Sequence, residues 1–168
     1  MASSENTVPD LQRNLVALMR QNNRAGRVVV AVDALDLDAA AQFANDFERA
    51  IVDEGTAVFR VSVADGAPDV RERLIAPFRA GEAFGPDAIA PADAVLVVSG
   101  RFLLRPEVRG IWNFTIWLES NPPIGAPRPE LPDAEKHYLR TVRPKAAASV
   151  IVENSDPAHP VQVFGDFC

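Results

Sequence analysis

Short apolar runs alternate with amphipathic stretches along this chain. Val28–Val32 and Ala94–Val98 are uninterrupted apolar runs, rich in β-branched residues, that are each followed by a polar residue. Runs of this kind are typical of strands that are covered on both faces, as in a parallel sheet. The segments 56–63, 111–118 and 148–152 predict three more strands, and 160–164 is a candidate short edge strand.

Helical periodicity appears between these runs. Leu11, Leu15, Leu18 and Met19 form one stripe within a predicted N-terminal helix over 8–25. Apolar spacing predicts further helices over 37–54, 69–80 and 132–142, and Asp69 is expected to cap the second of these three. The alternation predicts one α/β domain over 1–168: a three-layer α/β/α sandwich with a mostly parallel, five-stranded sheet.

Composition excludes several classes of protein. The 168 residues carry 17 basic and 23 acidic side chains, a formal net charge of −6, which argues against nucleic-acid binding. There is no secretory signal and no apolar run long enough to span a membrane, so we expect a cytoplasmic protein. The single cysteine, Cys168, excludes an internal disulfide. The two lysines, Lys136 and Lys145, both lie in the last third of the chain.

Candidate chemistry lies at the carboxyl ends of the predicted strands, where parallel sheets bind ligands. Asp33 ends the first strand, and Asp36 or Asp38 is expected to cap the helix that follows. Ser99 ends a later strand without the sequence context of a nucleophilic serine. An aspartate pair of the haloacid-dehalogenase type is disfavoured because Ala34 and Leu35 break its spacing.

Several segments together resemble one family. They are 29–33, the stretch 94–107 with its Arg-Phe-Leu-Leu-Arg-Pro-Glu block, Ile116–Glu119, and Tyr138–Pro157 with its Asn-x-Asp-Pro turn. In these segments the chain resembles the uridine kinase branch of the P-loop nucleoside kinases. The resemblance implies a sheet that carries an ATP- and Mg²⁺-dependent site for phosphoryl transfer to a nucleoside hydroxyl.

The phosphate-binding loop departs from that family. Its members have a glycine-rich turn that ends in Gly-Lys-Ser/Thr, whose N–H groups, ammonium and hydroxyl hold phosphate and Mg²⁺. The resemblance aligns Ala40 with the lysine and Ala41 with the hydroxyl residue. We therefore interpret the segment as a vestigial phosphate loop, which comprises Asp33, Ala34, Asp36, Asp38, Ala39, Ala40 and Ala41.

Other family positions also differ. The family's general-base aspartate is matched only weakly by Asp65, because an ungapped reading places Ala64 there. Ser99 stands where the family has an acidic residue before glycine. A proline-rich loop over 121–133 stands in place of the family's arginine-bearing lid. Arg101 and Arg128 are the arginines that we consider for the cleft.

These departures predict a non-catalytic, nucleoside kinase-like binding or interaction protein without ATP, Mg²⁺ or another metal. Its partners are unknown; a small nucleoside-like ligand is a candidate, as is a homodimer formed through the N-terminal helix or an edge strand near Trp117. The alternative is an active small-molecule kinase or nucleotide hydrolase, in which Arg101 and Arg128 replace the lysine. A loop closed by Asp36 or Asp38, with Leu35 or Leu37 filling the site, favours the non-catalytic protein. Outward-facing N–H groups over 34–39 favour the enzyme.

Overall fold

The computed structural model describes residues 7–65, 69–82 and 89–164. Cys168 lies outside these ranges. Within them the helices are α1 (Val8–Asn22), α2 (Leu37–Asp53), α3 (Ala76–Ala80), α4 (Pro106–Arg109), α5 (Asp133–Thr141) and α6 (Pro144–Ala147). The strands are β1 (Val28–Asp33), β2 (Val58–Ser62), β3 (Val95–Gly100), β4 (Phe114–Glu119), β5 (Val150–Glu153) and β6 (Val161–Val163).

The strands form one sheet in the order β2-β3-β1-β4-β5-β6. All pairings are parallel except the one between β5 and β6. The predicted three-layer, mostly parallel α/β/α architecture is confirmed, and the candidate edge strand adds a sixth strand to the five expected. Every residue of β1 and β3 is buried, because both strands lie inside the sheet between two layers of helices.

Two apolar cores cover the two faces of the sheet. On one face α1 and α2 pack through Leu15, Phe43 and Phe47 against the even-numbered residues of β1. On the other face the core includes Phe78 of α3 and Tyr138 of α5. Alternate side chains of a strand point to opposite faces, so each buried strand contributes to both cores. Among the described residues, none of the helices combines the length and the apolar character needed to span a membrane.

Several local expectations need correction. The predicted helical segment after Asp69 is confirmed, but it begins as a π-helical stretch, Arg71–Ile75, that continues into α3, and the expected Asp69 cap is wrong because Asp69 makes no side-chain cap. Its carboxylate pairs with Arg73 instead, at 2.8 Å. The strand predicted over 111–118 begins at Phe114, so Trp112 precedes it. Trp117 does not lie on an edge strand, because β4 pairs with both β1 and β5. β4 therefore offers no free edge with which a second copy could pair at Trp117.

Candidate functional site

A groove of about 610 Å³ opens at the carboxyl ends of β1, β4 and β5. This volume lies within the usual range of small-molecule sites. The N-terminus of α2 forms one side, and the proline-rich loop forms another. Its polar lining comprises Asp36, Glu119, Ser120, Asn121, Arg128, Asn154 and Ser155, and its apolar lining comprises Ala34, Leu35, Ala39, Trp117, Leu118, Pro122, Pro129, Leu131, Leu139 and Pro157.

The N-terminus of α2 is capped by its own chain. Oδ1 of Asp36 accepts hydrogen bonds from the N–H groups of Asp38, at 2.9 Å, and Ala39, at 3.1 Å. The cap prediction is confirmed for Asp36, whereas Asp38 lies exposed in the first turn. Two N–H groups that would otherwise face an anion are thus bound to a carboxylate.

Ala40 and the two leucines on either side of Asp36 differ in their exposure. Leu35 lines the groove and packs against the core that contains Tyr138, while Leu37 is 39% exposed. Ala40 is fully buried in the core between α2 and the sheet. Of the two leucines considered at this position, Leu35 is therefore the one that occupies space beside the groove.

Asn154 brings an unpaired carboxamide to the groove. The residue is 9% exposed, and its backbone N–H donates to the carbonyl of Glu119 at 2.7 Å. Within the described ranges no group of the protein hydrogen-bonds to its side chain. In the sequence Asn154 belongs to the Asn-x-Asp-Pro turn, and nothing in its local pattern marks it as a site residue. A carboxamide offers both donors and an acceptor, so Asn154 can recognise a ligand that carries both.

The proline-rich loop forms the outer wall of the groove. The N–H of Asn121 donates to Ser155 Oγ at 2.7 Å, and its carboxamide donates to Glu153 at 2.5 Å. These bonds tie the loop to the turn that follows β5. Arg128 lines the groove, as expected for one of the two candidate arginines.

Arg101 does not line the groove, because it is held by two carboxylates. Its Nε donates to Asp65 at 2.6 Å, and its Nη1 donates to Glu135 at 2.8 Å. The guanidinium also lies 5.1 Å from the ring centroid of Phe102. Asp65, the weak candidate for a general base, is thus engaged in an ion pair. The structure brings Arg101 and Asp65 together but separates Arg101 from Arg128.

Substitution of Arg101 by methionine is expected to lower the unfolding free energy by about 2 kcal/mol, because Glu135 would stay largely buried without its partner. The side chains of Arg101 and Glu135 are only 24% and 11% exposed. Arg73→Met is the matched control, since the Arg73–Asp69 pair is 82% and 51% exposed and should contribute little. Urea denaturation measures both changes. Equal and small losses of unfolding free energy in the two variants would contradict a stabilising role for the contacts of Arg101 with Asp65 and Glu135.

Asp33 and Tyr138 form a buried pair at the end of β1. The Tyr138 hydroxyl donates to the fully buried Asp33 carboxylate and accepts the N–H of Leu104 at 3.1 Å. Phe102 has a φ of 63°, in the left-handed region, and the N–H of the next residue, Leu103, donates to Asp33 at 3.4 Å. Burial raises the pKa of the Asp33 carboxyl to about 7 and also raises the pKa of Tyr138.

Ser99 also points into the protein. It is 1% exposed, and its hydroxyl lies 3.0 Å from that of Ser62 on β2. This hydrogen bond across two strands satisfies the buried hydroxyl of Ser99, whereas Ser62 is exposed. Within the described ranges, no group of three or more histidine, cysteine or acidic residues is arranged to hold a metal ion.

Comparison with solved structures places the fold among kinases. A protein described as a possible uridine kinase from Bacillus stearothermophilus superposes with a TM-score of 0.60 and 18% identity, over 84% of this chain and 98% of that one. A protein assigned as a fructose transport system kinase from a Silicibacter species gives 0.54 and 18%, over 68% and 75%. No family model and no curated protein matches the chain. The chain therefore shares the fold of these kinases.

Proposed function

We propose that this chain is a non-catalytic protein of the nucleoside-kinase fold, one that does not bind ATP·Mg²⁺ and binds a small, phosphate-free, nucleoside-like ligand in the groove. The observation that carries the proposal is the Asp36 cap. In P-loop proteins the corresponding N–H groups cradle phosphate. Here a carboxylate accepts two of those hydrogen bonds, so a phosphate would have to displace it and would meet its negative charge.

The cations near the strand ends support the same view. Ala40 and Ala41 provide neither the ammonium nor the hydroxyl that hold phosphate and Mg²⁺. Lys145 pairs with Glu119, a residue of the groove lining, at 3.3 Å. Arg101 is neutralised by Asp65 and Glu135. These residues do not fit a bound nucleoside triphosphate.

The alternative, a small-molecule kinase or nucleotide hydrolase with a remodelled loop, has one observation in its favour. Arg128 lines the groove, and a guanidinium can bind phosphate through two hydrogen bonds. Arg128 would have to bind phosphate without the support of backbone N–H groups and in the same groove as the Asp36 carboxylate, so we rank this function second.

The ligand class follows from the lining of the groove. Trp117 and leucine side chains present apolar surface, and the Asn154 carboxamide can pair with the donor and acceptor groups of a heterocycle. One neighbour in fold is described as a possible uridine kinase, which makes pyrimidine nucleosides the first probes.

Asn154→Ala is expected to weaken nucleoside binding at least about tenfold, because the ligand would lose paired hydrogen bonds in a buried position. Isothermal titration with uridine, cytidine, adenosine and guanosine gives the affinities. Asn22→Ala is the matched control, since Asn22 is exposed on α1 away from the groove. Binding of no nucleoside, or equal binding by both variants, would contradict this ligand class.

The same titration with ATP·Mg²⁺ tests the loss of the cofactor. We expect no saturable heat and no rise in melting temperature, because only a ligand that binds the folded state stabilises it. Binding of ATP·Mg²⁺ with a dissociation constant in the micromolar range, or phosphorylation of any nucleoside, would overturn the proposal in favour of the alternative enzyme.

A further inference from the structure

A second, smaller pocket lies between α1 and α2, on the side of the molecule where these helices cross. Its volume is about 160 Å³. The floor includes Gln12 and Ala50, and the start of α1 supplies Val8 and Pro9. Cavities of about this volume accept molecules of the size of benzene. The pocket is separate from the groove at the carboxyl ends of the strands.

Gln12 is the unusual residue of this pocket. It lies beside Leu11 on the buried face of α1 and is only 1% exposed. Both its Oε1 and its Nε2 are buried and lack a hydrogen-bond partner in the part of the chain that the structure describes. A buried carboxamide without partners destabilises the folded state, and an apolar side chain of similar length would avoid that penalty. A partner from outside the chain would relieve it.

The rim of the pocket is charged. Arg13 and Asp46 line it and hydrogen-bond within their own helices, to Asp10 and Gln42 respectively. Arg49 and Asp53 are exposed, with no partner among the described residues. Because the Arg13 side chain is 65% exposed, it can change its position without losing buried contacts.

We propose that this pocket binds a small, uncharged amide. The carbonyl of such a ligand would accept from Nε2 of Gln12, and its N–H would donate to Oε1, so that both unpaired atoms gain a partner together. The apolar part of the ligand would contact Val8, Pro9 and Ala50. An uncharged ligand fits because the rim carries two arginines and two aspartates and therefore favours neither sign of charge.

Benzamide is the probe, and N,N-dimethylbenzamide, which lacks an N–H donor, is its matched control. The protein is titrated with each compound while its backbone amide chemical shifts are followed in solution. We expect saturable shift changes at residues of the pocket with benzamide and none with N,N-dimethylbenzamide. Equal responses to both compounds, or no saturable response to benzamide, would overturn the proposal.

Gln12→Met tests the role of the carboxamide directly. We expect benzamide affinity to fall at least about tenfold while the melting temperature of the free protein rises by about 2–4 °C, because the unpaired polar group is removed. Gln12→Leu provides a second variant, and Gln21→Met, at an exposed position of the same helix, is the control. A lower melting temperature in both Gln12 variants, or unchanged benzamide affinity, would contradict the proposal.

Discussion

Asp33→Asn is expected to gain stability over wild type as the pH rises. The difference in unfolding free energy between the variant and wild type should be about 2–4 kcal/mol more favourable to the variant at pH 8 than at pH 4. The cause is the burial of an ionisable group. Burial raises the pKa of this carboxyl from 3.8 to about 7, although hydrogen bonds from Tyr138 and the backbone favour the charged form. Desolvation is therefore the larger influence.

The direction of the effect follows from the protons bound in each state. Between about pH 4 and pH 7 the folded protein keeps a proton on Asp33 that the unfolded chain releases. The contribution of Asp33 to stability is therefore fully present below pH 4 and is lost as the pH rises to about 7. Asparagine does not ionise, so the variant escapes this loss.

Urea denaturation of both proteins at closely spaced pH values measures the difference. Comparing the change with pH, rather than the stability at one pH, separates ionisation from any change in packing. Asp93→Asn is the matched control, because Asp93 is exposed and its replacement should leave the pH profile near that of wild type. Parallel profiles for wild type and Asp33→Asn would show that the Asp33 carboxyl titrates in its ordinary range.

Gly100→Ala is expected to destabilise the protein by about 3 kcal/mol, because the last residue of β3 has no room for a side chain. A Cβ atom at this position would lie 2.6 Å from the backbone oxygen of Val63 and 2.8 Å from its Cγ2. A backbone oxygen cannot rotate away as the end of a flexible side chain can. The chain that follows β2 would therefore have to move away from β3. The clash lies near the end of β1, because Gly100 pairs with Asp33.

Gly110→Ala is the control, since a Cβ atom there meets nothing within 4 Å and the φ angle is −75°. The unfolding free energy of this variant should lie within about 0.5 kcal/mol of wild type or be slightly higher, because alanine restricts the unfolded chain more than glycine does. Thermal and urea denaturation of the two variants provide the comparison. Equal stabilities would contradict a close approach of the chain at Gly100.

Much of the fold was predictable, because it depends on local patterns. The buried runs at β1 and β3 and the apolar stripes of α1 and α2 indicated a parallel sheet between helices. The failures lie where local signals are weak or compete. The π-helical turn at Arg71–Ile75 has no distinctive sequence pattern, and Asp69 looked like a cap although its carboxylate bonds to Arg73.

The candidate site was only partly predictable. Asp36 was a candidate cap because aspartate before a helix commonly binds its first N–H groups. The sequence could not indicate that Arg101 bonds to Asp65 and Glu135, because these residues come from three separate segments. Nor could it indicate that Asn154 lines a groove with its carboxamide unpaired. The sequence shows which residue types are present, but the hydrogen-bond partner of each side chain depends on the tertiary fold.

The α/β layers and the absence of lysine before residue 136 follow from the amino-acid order alone, since both depend on which residues occur and where. The positions of the remaining charges and polar groups depend on packing. The fold directs Arg101 to two carboxylates, buries Asp33 against Tyr138 and, within the described ranges, leaves the carboxamides of Gln12 and Asn154 without a protein partner. Burial and pairing arise from contacts between residues far apart in the chain, which form only when the sheet and its helices are packed together.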